Sequence, residues 1–163
     1  MFRCGQILFK YRGVISAPFF ILLLLFSRPV CIPVPAYVLI ALGLALRLWA
    51  AGYLGERSRK NRFDAEYVVI NGPYKYLKHP LYTGNFLLVC GVVILFNPPL
   101  WLGTLLIIVF ITEYSIIARS ETEYLKNLPT KRTEYRLKNL KGELSTILVT
   151  SVVILLSLLK TRH

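Results

Sequence analysis

Acidic residues are scarce in this chain. Eight Asp and Glu stand against twenty Lys and Arg, which leaves a formal charge of +12 over 163 residues. Cysteine is scarce too: Cys4, Cys31 and Cys90 form an odd, scattered set. They show no CxxC spacing and no metal-ligand pattern, which excludes a disulfide scaffold and a thiolate metal centre. Internal repeats and low-complexity tracts are absent. What the chain has in excess is apolar length: hydrophobic residues make up 55% of it, and its mean hydropathy is positive. A disordered basic tail is poor in such residues, so that class is excluded. A soluble nucleic-acid-binding domain is excluded as well, because a fold of this size cannot hide so many long apolar runs. An integral membrane protein remains, with the bilayer as its partner and its positive charge in the water-exposed loops.

The apolar runs predict an all-α integral membrane protein with five transmembrane helices in a single domain over residues 1–163. The first run, Gly13 to Phe26, is short for a bilayer core of roughly 30 Å, which takes about 20 helical residues. Ile7 to Phe9 lengthen it, with Lys10 and Arg12 snorkelling to the interface. A cleaved signal peptide is the rival reading, but no small-x-small cleavage site follows. The others are Pro35 to Leu54 with Arg47 inside, Leu81 to Phe96, Leu100 to Ala118 with Glu113 inside, and the uncharged Leu144 to Leu159. Asn97-Pro98-Pro99 makes a tight turn between the third and fourth. With a cytoplasmic N-terminus, the inside segments 1–12, 55–80 and 119–143 hold 3, 6 and 7 of the basic residues. That bias predicts five crossings, cytoplasmic loops and the C-terminus outside.

Residues 55–80 and 119–143 are long for connectors, and loops of that length are usually functional or disordered. In the second, Leu125, Leu128 and neighbouring apolar residues recur three and four apart among basic ones. That spacing predicts an amphipathic cytoplasmic helix at the membrane surface. Its basic face would favour anionic lipid.

The stretch Asn71-Gly72-Pro73-Tyr74-Lys75-Tyr76-Leu77-Lys78-His79-Pro80-Leu81-Tyr82-Thr83-Gly84 crowds Gly, Pro, His and tyrosines at the start of the third helix. Gly72-Pro73 suits a turn, Tyr74 and Tyr76 suit the interfacial belt, and Pro80 suits a first helical position. Lys78 and His79 are left over. They stand beside a helix N-terminus, where free N–H groups favour an anion such as a carboxylate. Gly84 and Gly91 lie two turns apart on one face. That face serves close helix packing, a groove for a flat ligand, or both.

Lys78-His79-Pro80-Leu81-Tyr82-Thr83-Gly84 followed by Gly91 resembles the Arg-His-Pro-x-Tyr-x-Gly-x6-Gly pattern of the isoprenylcysteine carboxyl methyltransferase and phospholipid N-methyltransferase superfamily. Arg119-Ser120-Glu121-Thr122-Glu123-Tyr124-Leu125 and Tyr135 stand where that superfamily carries an acidic pair and a Tyr-rich stretch. The resemblance covers residues 50 to 138, including Gly52-Tyr53-Leu54-Gly55. It implies a membrane enzyme that uses S-adenosylmethionine, its site built by loops 55–80 and 119–143 with the 81–118 hairpin. By that resemblance Lys78, His79, Pro80, Tyr82, Gly84, Gly91 and Glu121 bind the cofactor. His79 and Glu121 are the candidate catalytic residues. Lys78 replaces the usual Arg, which keeps the charge and loses the planar fork. Glu121 alone aligns with the acidic pair, and Glu123 is displaced.

The implied substrate is a lipidic or lipidated acceptor, such as an isoprenylcysteine carboxylate or a phospholipid amine. Membrane sterol reductases, which bind NADPH, share a similar His-Pro-x-Tyr-x-Gly pattern. A non-catalytic lipid-binding membrane subunit is the other alternative. Arg47 and Glu113 are ionisable residues inside apolar segments, where such groups are paired or functional. Three readings fit them: a mutual pair, residues lining a substrate tunnel, and, for Arg47, snorkelling.

Overall fold

The computed structural model describes residues 2–28, 33–55 and 65–160. Lys10 and Arg12, whose snorkelling was expected, and the Arg57–Arg62 part of the first inside loop lie outside the described side chains. Five helices are present among the described residues: α1 (Phe2–Phe26), α2 (Val34–Leu54), α3 (Pro80–Phe96), α4 (Leu100–Leu125) and α5 (Leu144–Lys160). Two-residue strands β1 (Val68–Val69) and β2 (Thr130–Lys131) pair in parallel, and 3-10 turns run over Gly72–Lys75 and Leu137–Glu143.

The sequence explains each helix boundary. Pro80 occupies the first position of α3, where its missing N–H costs nothing. Asn97 ends α3 in the left-handed region (φ 41°), and Pro98-Pro99 cannot extend it. The Arg28 N–H then donates to Phe96 O at 3.0 Å, closing that end of the molecule. Three stretches are long and apolar enough to cross a membrane: Val34–Leu54, Leu100–Leu125 and Leu137–Lys160. The other two apolar helices, Ala17–Phe26 within α1 and Pro80–Phe96, fall short of that length. α3 is short because a proline and a proline pair bracket it.

One expectation is corrected. Residues 119–125 form no separate surface helix. They continue α4, because no Gly or Pro interrupts the chain until Pro129. Beyond them the chain turns, pairs as β2, runs extended and enters the 3-10 turn.

α2 and α3 are antiparallel, and glycine lets their backbones meet. A Cβ added at Gly84 would sit 2.6 Å from Arg47 Cγ and 3.0 Å from Gly43 O. One added at Gly91 would sit 2.9 Å from Ala36 O and 2.7 Å from Ile40 Cγ1. Around this contact Leu23, Ala36, Ile40, Phe96, Leu102 and Val153 build a core that draws on all five helices. Phe20 meets Phe96 edge-on, and Phe26 meets Trp101 in the same way, so α1 closes over the α3–α4 turn. Lys160 at the end of α5 donates to Leu24 O at 2.7 Å and to Ser27 Oγ. Leu25, Val34, Leu100, Ile108 and Leu148 stay more than half exposed, an outer surface suited to lipid.

At the opposite end, residues on either side of the α3–α4 hairpin are stitched together. Val68 N–H donates to Pro129 O at 2.8 Å, and Thr133 N–H donates to Asn71 Oδ1 at 3.0 Å. Arg136 N–H (3.1 Å) and Asn139 Nδ2 (2.8 Å) both reach Gly52 O. The Tyr135 ring lies so close to Gly52 that an added Cβ would be 2.1 Å from it.

The glycine contact is testable. Gly91→Val should separate α2 from α3 and destabilise the protein by about 2 to 3 kcal/mol, the usual cost of overpacking. Gly103→Ala is the control: its added methyl meets only side-chain atoms, the nearest at 3.2 Å. Thermal midpoints in detergent should fall clearly for the first and little for the second. Equal midpoints would remove the backbone contact from the account of stability.

Candidate functional site

His79 is the residue before the first turn of α3, and its carbonyl anchors that turn. It accepts the Tyr82 and Thr83 N–H groups, both at 3.1 Å, and the Thr83 hydroxyl at 3.2 Å. Because Pro80 has no N–H and the Tyr82 N–H is engaged, little of the expected anion-binding helix start remains. An anion's charge partner has to come from a side chain, and Lys78 is exposed at that rim.

The His79 imidazole is held at both nitrogens by α4. Nδ1 lies 3.1 Å from Glu121 Oε2, and Nε2 lies 3.0 Å from Thr122 Oγ1. The extension of α4 beyond residue 118 is what carries these two residues to it. On its flat face the ring stacks against Tyr82, with centroids 5.3 Å apart and planes 12° from parallel.

The row continues along the same face of α3, since His79, Tyr82 and Asn85 are three residues apart. Tyr82 meets Tyr114 edge-on at 5.2 Å, and Asn85 Nδ2 donates to the Tyr114 hydroxyl at 2.9 Å. Tyr114 in turn stacks on Phe110 at 4.1 Å. Tyr114 lies seven residues before Glu121, two turns of helix, so it shares that face of α4. Glu113 is one residue out of this phase and points about 100° away.

Arg47 closes the row. It is buried, and its Nη1 donates to Asn85 Oδ1. Its Nε and Nη2 both donate to Glu143 Oε2, at 2.9 and 2.7 Å. This corrects the expected partner: Arg47 is neither snorkelling nor paired with Glu113. Glu143, at the last position of the 3-10 turn before α5, is folded back onto α2. Its side chain is 1% exposed, and its Oε1 is buried with no hydrogen-bond partner among the described residues.

Tyr74, read as a belt residue, is partly buried beside this row. Its hydroxyl is 3.5 Å from Ala50 O. Burial, then the nearby Glu121 and Glu143 carboxylates, push the phenol well above the ordinary tyrosine range. It stays a neutral hydrogen-bond donor.

Of the residues expected at the site, the fold brings together His79, Tyr82 and Glu121, with Pro80 buried beneath and Lys78 at the rim. Gly84 and Gly91 turn their bare faces to α2, which fills the space a flat ligand would need there. Gly91 also lies twelve residues beyond His79, roughly 18 Å along the helix. The sequence reading missed Tyr74, Asn85, Tyr114, Thr122 and Glu143. Asn85 had a signal in its three-residue spacing from Tyr82, whereas Glu143 had none.

The site therefore offers a carboxylate and a lysine at one end and an aromatic stack in the middle. A donor–acceptor row fixed by a buried ion pair forms the other end. Residues 32–131 match the family model for phospholipid methyltransferase. That span contains every member of the row except Glu143. No curated protein and no solved structure matches the chain. The match takes in well over half of the residues and agrees with the motif around His79 and Glu121: the chain belongs to the phospholipid methyltransferase family, enzymes that use S-adenosylmethionine as methyl donor.

Proposed function

We propose that this protein is a five-crossing membrane enzyme that methylates a lipid headgroup, at a cytoplasmic site centred on His79 and Glu121. The observation that carries this reading is the His79 ring itself, clamped by Glu121 and Thr122 and stacked on Tyr82. The crossings are supported by the way helix ends alternate between two faces. The end of α1, the α3–α4 turn and the end of α5 lie together at one face, tied by the Arg28 and Lys160 contacts. The Gly52, Asn71 and Thr133 stitch lies at the other, beside most of the basic residues whose side chains are described. A cytoplasmic N-terminus and an outside C-terminus follow from that charge bias.

The donor set fits S-adenosylmethionine. Glu121 can accept from its ammonium or ribose hydroxyls, and Lys78 can meet its carboxylate. The electron-rich faces of Tyr82 and His79 suit a flat base or a sulfonium cation. When bound, that group supplies an electrophilic methyl transferred in a single in-line displacement. The chain's own task is alignment and exclusion of water. The continuous row from His79 to Arg47 gives a polar track along the α3–α4 hairpin on which donor and acceptor can be held end to end. An amine acceptor must lose a proton before its nitrogen can attack, and His79 and Glu121 are the candidate bases. A carboxylate acceptor would need no such base. The match to the phospholipid methyltransferase family favours the amine of a phospholipid headgroup as acceptor.

Three measurements test the reading. S-Adenosylhomocysteine should bind the detergent-solubilised protein saturably, and His79→Ala should weaken it about tenfold or more, the scale of losing one or two charge-assisted contacts. Unchanged affinity in that variant would remove His79 from the site. Labelled methyl donor incubated with the protein and a membrane lipid extract should place label in a phospholipid headgroup, stable to base. Base-labile volatile label would point instead to a methyl ester.

The third concerns pH. Folded Tyr74 keeps the proton that the unfolded chain releases near 10, so its contribution to stability is present below that pH and is lost as pH rises past it. Between about pH 9 and about pH 11 the thermal midpoint should fall further for the wild type than for Tyr74→Phe. Parallel curves would place Tyr74 in water.

A further inference from the structure

The Arg47–Glu143 pair joins two parts of the chain with different standing. Arg47 lies within the segment shared with the family, and Glu143 lies beyond its end at residue 131. An element outside the shared segment therefore supplies the last charged group of the site row. The pair is also unusual as a packing device. A buried carboxylate kept only for stability needs hydrogen bonds at both oxygens, since its removal from water is otherwise poorly compensated. Glu143 engages Arg47 twice through Oε2, whereas Oε1 is buried with no partner among the described residues. The guanidinium, by contrast, is used on two sides. It faces Glu143 on one and Asn85 on the other, and Asn85 fixes the Tyr114 hydroxyl against Tyr82.

We propose that Glu143 is an acceptor-positioning residue of the transferase: it orients Arg47, which orients Asn85 and Tyr114 along the wall where a lipid headgroup is held. The C-terminal segment is then a working part of the site. The inference rests on the methyltransferase reading above, with the cofactor at the His79–Glu121 end and the acceptor at the Asn85–Arg47 end. Glu143 acts through Arg47 and touches neither reacting group. Tyr74 supports the placement, because its phenol lies within the field of both Glu121 and Glu143 and so spans the two ends.

The test separates the two ends. Glu143→Gln keeps the shape and removes the charge. In detergent its S-adenosylhomocysteine Kd should stay within about twofold of wild type. Methyl transfer to mixed vesicles of ethanolamine phospholipid and membrane lipid extract, at saturating donor, should fall about tenfold or more, as expected when a reactant is misplaced. Glu143→Asp should recover part of that loss. Unchanged turnover overturns the proposal. So does an equal loss of cofactor binding and turnover, which would mark Glu143 as general support for the fold.

Glu143→Gln leaves the Arg47 charge buried and uncompensated, which weakens the fold, so Arg47→Leu/Glu143→Leu serves beside it. Replacing both members of a buried pair by apolar residues commonly preserves stability. The double variant should bind S-adenosylhomocysteine and transfer methyl poorly. Wild-type turnover in it would show that the pair merely offsets its own burial, and overturns the proposal. If the wild type binds S-adenosylhomocysteine but methylates nothing in this lipid pool, the proposal also falls. If the wild type does not bind it, the methyltransferase reading beneath it falls first.

Discussion

The architecture depends on the contact between α2 and α3, where two helix backbones touch through Gly43, Gly84 and Gly91. Lipid tails offer helices no hydrophobic reason to associate, so close van der Waals contact has to supply it, and small residues make that contact possible. Everything at the site inherits its position from this seam. Arg47 passes over Gly84, and only a residue without a side chain leaves room for its stem. That passage delivers the guanidinium to Asn85, one residue further along α3. A larger residue at position 84 would displace the arginine as well as the helix. Packing and polar geometry are thus set by the same atoms.

The second constraint is the long, unbroken course of α4. A helix that stopped with its apolar run at Ala118 would end below His79. Continuing through Leu125 lifts Glu121 and Thr122 to both nitrogens of the imidazole, which fixes the ring's orientation without any contribution from a loop. The ring then serves as one half of an aromatic stack whose other half is Tyr82. Two helices thus position the centre of the site, which favours precision over the adaptability of a loop-borne site.

Much of this was legible in the sequence for reasons that are local. Apolar runs reveal the helices, Pro80 and Asn97-Pro98-Pro99 mark the ends of α3, and the His79 motif with Glu121 marks the centre of the candidate site. Where reading failed, the deciding physics was long-range. The ion pair of Arg47 spans 96 positions, and no local pattern announces Glu143 as its partner. The β1–β2 pairing is two residues long, too short for any alternation to show. Residues 119–143 carry apolar spacings that suit a surface helix. The uninterrupted backbone of α4 claims the first seven of them, Pro129 with the Gly52 stitch holds residues 129–136 extended, and the last seven wind into the 3-10 turn. Tyr74 and Tyr76 look alike in the sequence, but the 3-10 turn leaves the first partly buried and the second exposed.

The separation between Arg47 and Glu143 also bears on how such a chain is made. Segments reach the membrane in the order in which they are synthesised, and on the five-crossing reading α2 arrives with its arginine long before residue 143 exists. A lone arginine at depth in a membrane helix costs about 2.5 to 3.5 kcal/mol on insertion scales. Asn85 can offset part of this once α3 has docked, since its carbonyl oxygen meets the guanidinium directly. The charge itself goes unanswered until the 3-10 turn before α5 has been made. The charged bond of the site therefore forms late in biogenesis, and a chain truncated before Glu143 would carry an unpaired arginine in α2.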